Sequence, residues 1–160
     1  MLQQLVGFYY RRLATPILEA RRAHYRRLFG VSRLDIYFPV FIESPANVRL
    51  GENVSINAFT HIWANAPVVI GDNTMIAAHV QITTSTHDYN VTPMRDERID
   101  KPVRIGKNVW IGSGAIVFPG VSIGDNTVIG AGALVLSDVP ANCIAYGAPA
   151  VVKRTATSPR

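Results

Sequence analysis

The sequence has few of the features that mark secreted or membrane-spanning proteins. Its single cysteine, Cys143, excludes an internal disulfide. No basic start is followed by an uninterrupted apolar run of the kind found in signal peptides, and no stretch reaches the roughly 18 consecutive apolar residues of a spanning helix. These absences predict a reducing, cytoplasmic setting, with peripheral membrane association left open.

Charge is also scarce along most of the chain. The net charge is +5, yet residues 1–33 alone carry seven arginines against one glutamate, so the remainder is close to neutral. Because the excess positive charge lies in residues 1–33, the main body is not expected to present a nucleic-acid-binding surface. With 160 residues and 48% hydrophobic composition, the chain is expected to bury one core and to form one domain.

The basic N-terminal segment, residues 1–33, reads as one or two helices, with a break at Pro16 and an end at Gly30. Three roles for its arginines stay open. The segment could cap the first unit of the main body, contact anionic lipid or polyanionic glycan, or bind nucleic acid. No nucleic-acid-binding motif accompanies the charge, which disfavours the third role.

Aliphatic residues recur every six residues through the main body. The spacing is six throughout, except for two steps of eight and one of 23. The fourteen positions are Ile36, Ile42, Leu50, Ile56, Ile62, Ile70, Ile76, Ile82, Ile105, Ile111, Val117, Ile123, Ile129 and Val135. A period of six fits neither a helix nor an isolated strand, but it fits short strands and tight turns repeated around a prism.

Turn signals support three faces per coil. The strings LGEN, IGDN, IGKN and IGDN, which begin at positions 50, 70, 105 and 123, fall on every third six-residue unit. Gly and Asn at these places are expected to supply positive φ or side-chain bonds to the backbone at the corners. The inward aliphatics are expected to stack as a ladder, with coils about 4.8 Å apart.

All three long steps fall at the same corner, and the largest predicts a projecting loop over residues 83–104. Loops of this length in a compact domain are usually functional or disordered. His87 stands at the root of the loop and Asn65 occupies the same corner one coil earlier. A histidine at a rigid, open edge suits a general base, because its ordinary pKa leaves it mostly neutral near pH 7.

These patterns resemble the hexapeptide-repeat acyltransferases. STHDYN, followed by DKPVRIGKNVWIGSGAIVFPGVSIGDNTVIGAGALV, is similar to the galactoside, maltose and Nod-factor sugar O-acetyltransferases and to the colanic-acid type. The resemblance covers residues 34–154 and leaves 155–160 as a tail. It implies an all-β fold, a left-handed parallel β-helix, and an acetyl-CoA-dependent transfer of acetyl to a saccharide hydroxyl without a covalent acyl-enzyme.

The resemblance also implies roles for individual residues near the acceptor. His87 matches the family's catalytic base, and Asn57 matches an asparagine that helps to hold acceptor or intermediate. Asn65 is a departure, because it stands where those enzymes have an aspartate. An amide cannot stabilise an imidazolium as a carboxylate would, and Asp88 is the candidate substitute.

Donor residues follow by the same resemblance. Trp110, Ser113 and Ala131 are expected to line the groove for the pantetheine arm, with Ser113 offering a hydroxyl or backbone N–H to the thioester oxygen. Lys153 and Arg154 are candidates for the nucleotide phosphates. The ending YGAPAVVKR and the string LVLSD depart from the family pattern, which weakens the expected hold on the adenosine end.

Other readings of the same residues remain. The fold also suits a serine or amino-sugar N-acyltransferase, or a non-catalytic scaffold whose loop binds a partner protein. A zinc site of the γ-carbonic anhydrase type is disfavoured because His61, His79 and His87 occupy different offsets, so no metal is expected. His61 and His79 are interpreted as corner and groove residues, and Cys143 as a buried structural thiol. The resemblance further implies a homotrimer with active sites between subunits.

Overall fold

The chain begins with a helix and continues as stacked coils. The computed structural model describes residues 15–155, and Arg11 and Arg12 of the basic segment lie outside them. Helix α1 (Thr15–Phe29) has Pro16 in its first turn, where its missing N–H is tolerated. Gly30 follows in the left-handed conformation, with φ of 67°, and ends the helix as expected.

Three parallel sheets form the faces of a prism of about six turns, a left-handed parallel β-helix. Face A holds β1 (Leu34–Ile36), β4 (Val54–Ile56), β7 (Met75–Ile76), β12 (Trp110–Ile111), β15 (Val128–Ile129), β17 (Cys143–Tyr146) and β18 (Val151–Thr155). Face B holds β2 (Phe41–Glu43), β5 (His61–Trp63), β8 (Gln81–Thr83), β13 (Ile116–Val117) and β16 (Leu134–Val135). Face C holds β3 (Val48–Leu50), β6 (Val68–Ile70), β11 (Val103–Ile105) and β14 (Ser122–Ile123).

The aliphatic ladder forms the core. In register, Ile36 lies on Ile56 and Ile56 on Ile76, so each face contributes one vertical stack. Thirteen of the fourteen positions in the ladder are buried, with exposed fractions of 8% or less. The exception is Ile42, which is half-buried because it lies in the first coil and has a coil on one side only.

At the corners between faces C and A, the asparagines adopt the predicted positive φ, but the glycines do not. Asn53, Asn73 and Asn108 have φ between 53° and 59°, and the Asn53 amide donates to the Asn73 side-chain oxygen at 2.9 Å. The glycines do not adopt positive φ there. Instead, a Cβ on Gly71 would come within 2.7 Å of the Gly106 carbonyl carbon, so glycine is required for close stacking of successive coils.

Every insertion lies at the corner between faces B and C, as the spacing predicts. Two are short: residues 44–47, with a 3₁₀ turn at Pro45–Asn47, and residues 64–67. The third, residues 84–102, is called the arm below. It is a hairpin of β9 (Ser85–His87) and β10 (Arg98–Asp100) with a 3₁₀ turn at Met94–Asp96.

Helix α1 covers the first coil. Tyr25 and Phe29 pack against the core, and Tyr25 lies 5.7 Å from the Phe38 ring. Arginines of the helix bond to two backbone carbonyls of β1: Arg22 Nε donates to the Ile36 oxygen at 3.1 Å and Arg26 Nε to the Leu34 oxygen at 3.4 Å. These contacts support the capping role for the basic segment.

The opposite end closes differently. Strand β18 pairs antiparallel with β17 and reaches Thr155, the first residue of the expected tail. Cys143 is 3% exposed beneath it, and its thiol donates to the Ala141 oxygen at 3.4 Å, which agrees with a structural role. Among residues 15–155 no helix has the length and hydropathy needed to cross a membrane.

Candidate active site

His87 ends strand β9 and is exposed on the arm. Its Nδ1 lies 3.0 Å from the Met94 carbonyl oxygen in the 3₁₀ turn. Because a carbonyl oxygen only accepts, the bond places the ring proton on Nδ1 and leaves the Nε2 lone pair free in the neutral ring. The arm therefore presents an oriented proton acceptor to solvent at the corner between faces B and C.

Asn65 connects the prism to the root of the arm. Its Nδ2 donates to Ser85 Oγ at 2.8 Å, and Ser85 Oγ donates to Asp100 Oδ1 at 2.6 Å. Arg98 Nε and Nη2 both lie 2.9 Å from Asp100 Oδ2. The Ser85 hydroxyl is the main cause that lowers the pKa of Asp100 below its ordinary value, and Arg98 adds to it. Asp100 is therefore an ionised acceptor at neutral pH.

Asp88 makes no hydrogen bond to the His87 ring within residues 15–155, and it holds a turn of the arm instead. Its Oδ1 accepts hydrogen bonds from the Asn90 backbone N–H and from Asn90 Nδ2, each at 2.9 Å. This is a side-chain-closed turn at the end of β9, a common role for Asp. These contacts assign Asp88 to the shape of the arm. The carboxylate that belongs to the Asn65 network is Asp100.

The corner between faces A and B carries a second group of the expected residues. Ser113 is exposed directly above Ala78, and Ala131 lies one coil further along. Within residues 15–155, the backbone N–H groups of Ser113 and Ala131 and the Ser113 hydroxyl donate no hydrogen bond. Such a line of free donors, one per coil, can bind the carbonyl groups of an extended molecule laid along the corner.

Small residues keep this corner open. A Cβ on Gly112 would come within 2.5 Å of the Ala131 nitrogen, and Gly114 and Gly132 have φ of 71° and 67°. Asn57 lies at the same corner, where its Nδ2 donates to the Ile76 oxygen at 3.2 Å. Around Ser113 and Ala131 the corner therefore carries only small side chains, which suits a long, thin ligand there, whereas Phe59 and His79 project from the same corner in earlier coils.

Trp110 and Lys153 flank the far part of this corner. Trp110 is 50% exposed on the outer surface of face A. Lys153 Nζ lies 5.8 Å from the centroid of Tyr146, which stands one coil above Gly130 at the end of β17. Lys153 is therefore placed near the end of the line of donors. The side chain of Arg154 lies outside the described part of the structure.

One chain does not bring all the expected residues together. Asn65 and His87 lie at the corner between faces B and C, whereas Asn57, Ser113 and Ala131 lie at the corner between faces A and B. The width of face B separates the two groups. Asn57 and His87 can share a site only if two copies of the chain each contribute one corner.

The other histidines have structural surroundings. His79 has φ of 61° at a corner and stacks on Phe59 with ring centroids 4.9 Å apart, as the corner interpretation expects. His61 is not at a corner: it points outward from β5 on face B, where it stacks on Trp63 at 3.7 Å and lies 3.2 Å from Glu43 Oε1. No cluster of three potential metal ligands occurs within residues 15–155.

Sequence reasoning missed Ser85, Asp100 and the carbonyl of Met94. Ser85 and Asp100 are fifteen residues apart and become neighbours only through the antiparallel register of β9 and β10. The alternation of Ser85 with His87 and of Arg98 with Asp100 was the available signal. This alternation identifies Asp100 as the partner of Ser85 only once the position of the hairpin turn is known.

A family model described as "Hexapeptide repeat of succinyl-transferase" matches residues 102–137. Nodulation protein L of Rhizobium meliloti (strain 1021) is 47% identical over 119 residues, which cover 70% of this chain and 65% of that protein. Galactoside O-acetyltransferase of Escherichia coli (strain K12) is 40% identical over 117 residues, 72% of this chain and 58% of that protein. The chain thus spans less than two thirds of the length of these two relatives.

Solved structures extend the similarity to most of the chain. Galactoside acetyltransferase in complex with coenzyme A superposes with a TM-score of 0.80 and 35% sequence identity. The match covers 88% of this chain and 72% of the other.

Proposed function

The chain belongs to the hexapeptide-repeat acetyltransferases, and from that premise we propose that it transfers acetyl from acetyl-CoA to a hydroxyl of a saccharide, with His87 as general base. The observation that carries the proposal is the His87–Met94 hydrogen bond. It orients an exposed imidazole and leaves Nε2 as the proton acceptor, which is the state a base needs at neutral pH.

The proposed reaction is a direct transfer. His87 Nε2 removes the proton of the acceptor hydroxyl as its oxygen forms a bond to the thioester carbonyl carbon. When the tetrahedral intermediate collapses, the carbon–sulfur bond breaks, and the proton held on Nε2 passes to the leaving thiolate. The products are an acetyl ester and free CoA thiol, and the histidine returns to its starting state.

The corner between faces A and B is the proposed donor site. The free N–H groups of Ser113 and Ala131 suit the amide carbonyls of a pantetheine arm, and Ser113 also suits the thioester oxygen, on which negative charge develops. Lys153 lies toward the end of this line, where it can neutralise phosphate. Trp110 and Asn57 complete the set, and Arg154 stays a prediction from the sequence.

Two copies are needed to complete this site, so we propose a homotrimer in which face B of each chain faces the threefold axis. This arrangement places the corner between A and B of one chain beside the arm of the next. The outer surface of face B supports it, since several large apolar side chains point outward there. They are Phe41, Trp63, Ile116, Phe118, Leu134 and Leu136.

We propose a cytoplasmic setting in which the basic N-terminal segment could meet an anionic surface. Arg22 and Arg26 already bond to strand β1, whereas Arg27 is exposed on α1 and makes no ion pair within residues 15–155. Co-sedimentation with anionic and with neutral vesicles tests this contact. Equal binding to anionic and neutral vesicles would contradict an electrostatic contact between the basic segment and an anionic surface.

The proposed reaction is tested by thiol release from acetyl-CoA with pooled mono- and oligosaccharides, amino sugars included. His87→Ala is expected to lower acceptor-dependent release by about 10²–10⁴-fold. His24→Ala, which removes an exposed histidine on α1, serves as the matched control. Unchanged release in His87→Ala would contradict the general base, and release only with amino sugars would favour N-acylation.

The assembly is tested separately by analytical ultracentrifugation. Wild-type protein is expected to sediment as a trimer, and Leu136→Glu, on the outer surface of face B, is expected to dissociate it. Mixing inactive His87→Ala with inactive Ala131→Trp, which blocks the donor corner, should restore part of the activity in mixed trimers. Failure of the mixture to recover would argue against a shared site.

A further inference from the structure

Ser85 stands between two side chains and has one proton to give. Its Oγ lies 2.6 Å from Asp100 Oδ1 and 2.8 Å from the Asn65 amide group. An ionised carboxylate can only accept hydrogen bonds, so the Ser85 proton must point to Asp100. The Ser85 oxygen then offers Asn65 only lone pairs, and the group of Asn65 that faces it must be the NH₂.

This chain of donors and acceptors fixes the orientation of the Asn65 amide. With Nδ2 turned toward Ser85, Oδ1 is turned away from the arm, and it accepts no hydrogen bond from residues 15–155. Asn65 is exposed, so Oδ1 is available to a ligand. The backbone beneath is held as well, since Asn47 Nδ2 donates to the Ala64 oxygen at 2.8 Å.

The same atoms position His87. Ser85 and His87 are two residues apart on β9 and so project from the same face of the strand, and they pair across the hairpin with Asp100 and Arg98. Arg98 is held by Asp100, which keeps its guanidinium on the carboxylate. Asn65 Oδ1 and His87 Nε2 are therefore two acceptors presented at one corner from a single bonded unit.

We propose that Asp100, acting through Ser85, holds the Asn65 amide with Oδ1 toward the saccharide, where it accepts a hydrogen bond from a second hydroxyl next to the one that is acetylated. Asp100 and Ser85 are positioning residues, and Asn65 is the residue that contacts the acceptor. The inference rests on the proposed function for its ligand, but the amide orientation can be measured without turnover.

The resulting preference has a clear chemistry. A fixed acceptor atom favours a saccharide with two neighbouring hydroxyls, one to react and one to donate. It disfavours a monodeoxy sugar at the second position, because Oδ1 would then lose its partner on binding. A freely rotating amide would present NH₂ or oxygen as required and would discriminate less.

The orientation is tested by NMR on uniformly ¹⁵N-labelled protein, with the Asn65 side-chain signals assigned through Asn65→Asp. Wild-type protein is expected to show contacts between the Asn65 NH₂ protons and the Ser85 β-protons, and slowed exchange of one NH₂ proton. Both should disappear in Ser85→Ala and weaken in Asp100→Ala. Ser85→Thr, which keeps the hydroxyl, should retain them, as should Glu97→Gln, which removes another carboxylate of the arm.

The specificity is tested with methyl β-D-galactopyranoside and its monodeoxy derivatives as probes. For wild-type protein, one derivative other than that lacking the acetylated hydroxyl should lose about tenfold in kcat/KM. In Ser85→Ala and Asp100→Ala this difference should shrink to about threefold or less, while KM for acetyl-CoA is unchanged. Ser85→Thr and Glu97→Gln should behave as wild type.

The positioning role of Asp100 and Ser85 and the proposed saccharide acceptor can be contradicted separately. Discrimination that persists in Ser85→Ala, or an Asn65 NH₂ in wild type with no contact to Ser85, overturns the positioning role. Absence of turnover with every galactoside, in wild type as well, counts against the saccharide assignment of the proposed function. In that event the NMR experiment alone decides whether Asp100 and Ser85 orient the amide.

Discussion

The six coils and the arm that leaves them are built in opposite ways. In the coils, each strand sends an aliphatic side chain inward onto an equivalent one above and below, as Ile56 does between Ile36 and Ile76. In the arm, β9 and β10 bury no side chain, and polar groups bind one another across the hairpin. Repetition provides the rigidity of the coils, and departure from repetition provides the chemistry of the arm.

Because the coils and the arm are built differently, stability and activity should respond to different substitutions. Core residues in the coils should change the free energy of unfolding with little effect on the reaction, because none of them reaches the surface. Arm residues should change the reaction with little effect on unfolding, because they contribute little apolar burial.

Removing the arm should have the largest effect. Residues 84–102 can be replaced by Ala-Asn-Ala-Pro, the sequence that joins β5 to β6 across the same corner one coil earlier. Because β8 and β11 keep the register of β5 and β6, the coils should fold. Thiol release should be lost completely, while circular dichroism retains its β signal. Unfolded protein would show that the arm is required for the coils to form.

A pair of isoleucines compares the two regions directly. Ile111→Ala removes a fully buried side chain in the ladder and should lower the free energy of unfolding by about 2–5 kcal/mol. Ile99→Ala, at the one half-buried position of β10, should lower it by about 1 kcal/mol or less. Urea denaturation of both variants measures the difference. Equal losses would mean that the arm is part of the cooperative core.

The smallest expected effect concerns acid stability at the junction between α1 and the coils. The Glu52 carboxylate accepts hydrogen bonds from the backbone N–H groups of Ser32 and Arg33 and from the Ser32 hydroxyl, at 2.9–3.1 Å. These bonds, that from the Ser32 backbone foremost, lower the pKa of Glu52 below its ordinary 4.5. A carboxyl whose pKa is lower in the folded state stabilises the fold above its unfolded pKa.

That contribution should be present at pH 7 and should disappear as the pH falls below about 4.5 through the lowered pKa of the folded state. Glu52→Gln should therefore have a lower thermal midpoint than wild type at pH 7, and the two should converge toward pH 3. Glu97→Gln on the arm is the control, since its side chain makes no hydrogen bond within residues 15–155. A difference that stays constant with pH would contradict the assignment.

Most of the coil architecture could be predicted because it repeats. Each of the fourteen aliphatic positions is read from its spacing alone, and the long steps place the arm at the correct corner. The exception at Ile42 and the role of Gly71 follow from stacking between coils, which a linear pattern does not display. A six-residue period predicts the features that all coils share, but it does not predict how the first and last coils differ from the others.

Motif and position select candidate residues for the site, but they do not give its arrangement. His87, Asn65 and Ser113 follow from motif and position, yet neither indicates that face B separates Asn65 from Asn57. Asp88 was the expected carboxylate because it is adjacent in sequence. Asp100 is the one that joins the network, because antiparallel pairing places it opposite Ser85. Contacts that depend on hairpin register require the three-dimensional structure.

The two ends of the prism determine how large an object this sequence makes. Parallel coils with open edges could add further copies end to end without limit and grow into a filament. At one end, arginines of α1 occupy two carbonyls of β1, and at the other, β18 reverses direction against β17. The arginines prevent another strand from pairing with β1 because they occupy its carbonyl oxygens. Strand β18 prevents parallel pairing at the other end because it runs antiparallel to the strands of the coils. A repeating chain thereby becomes a particle of defined length.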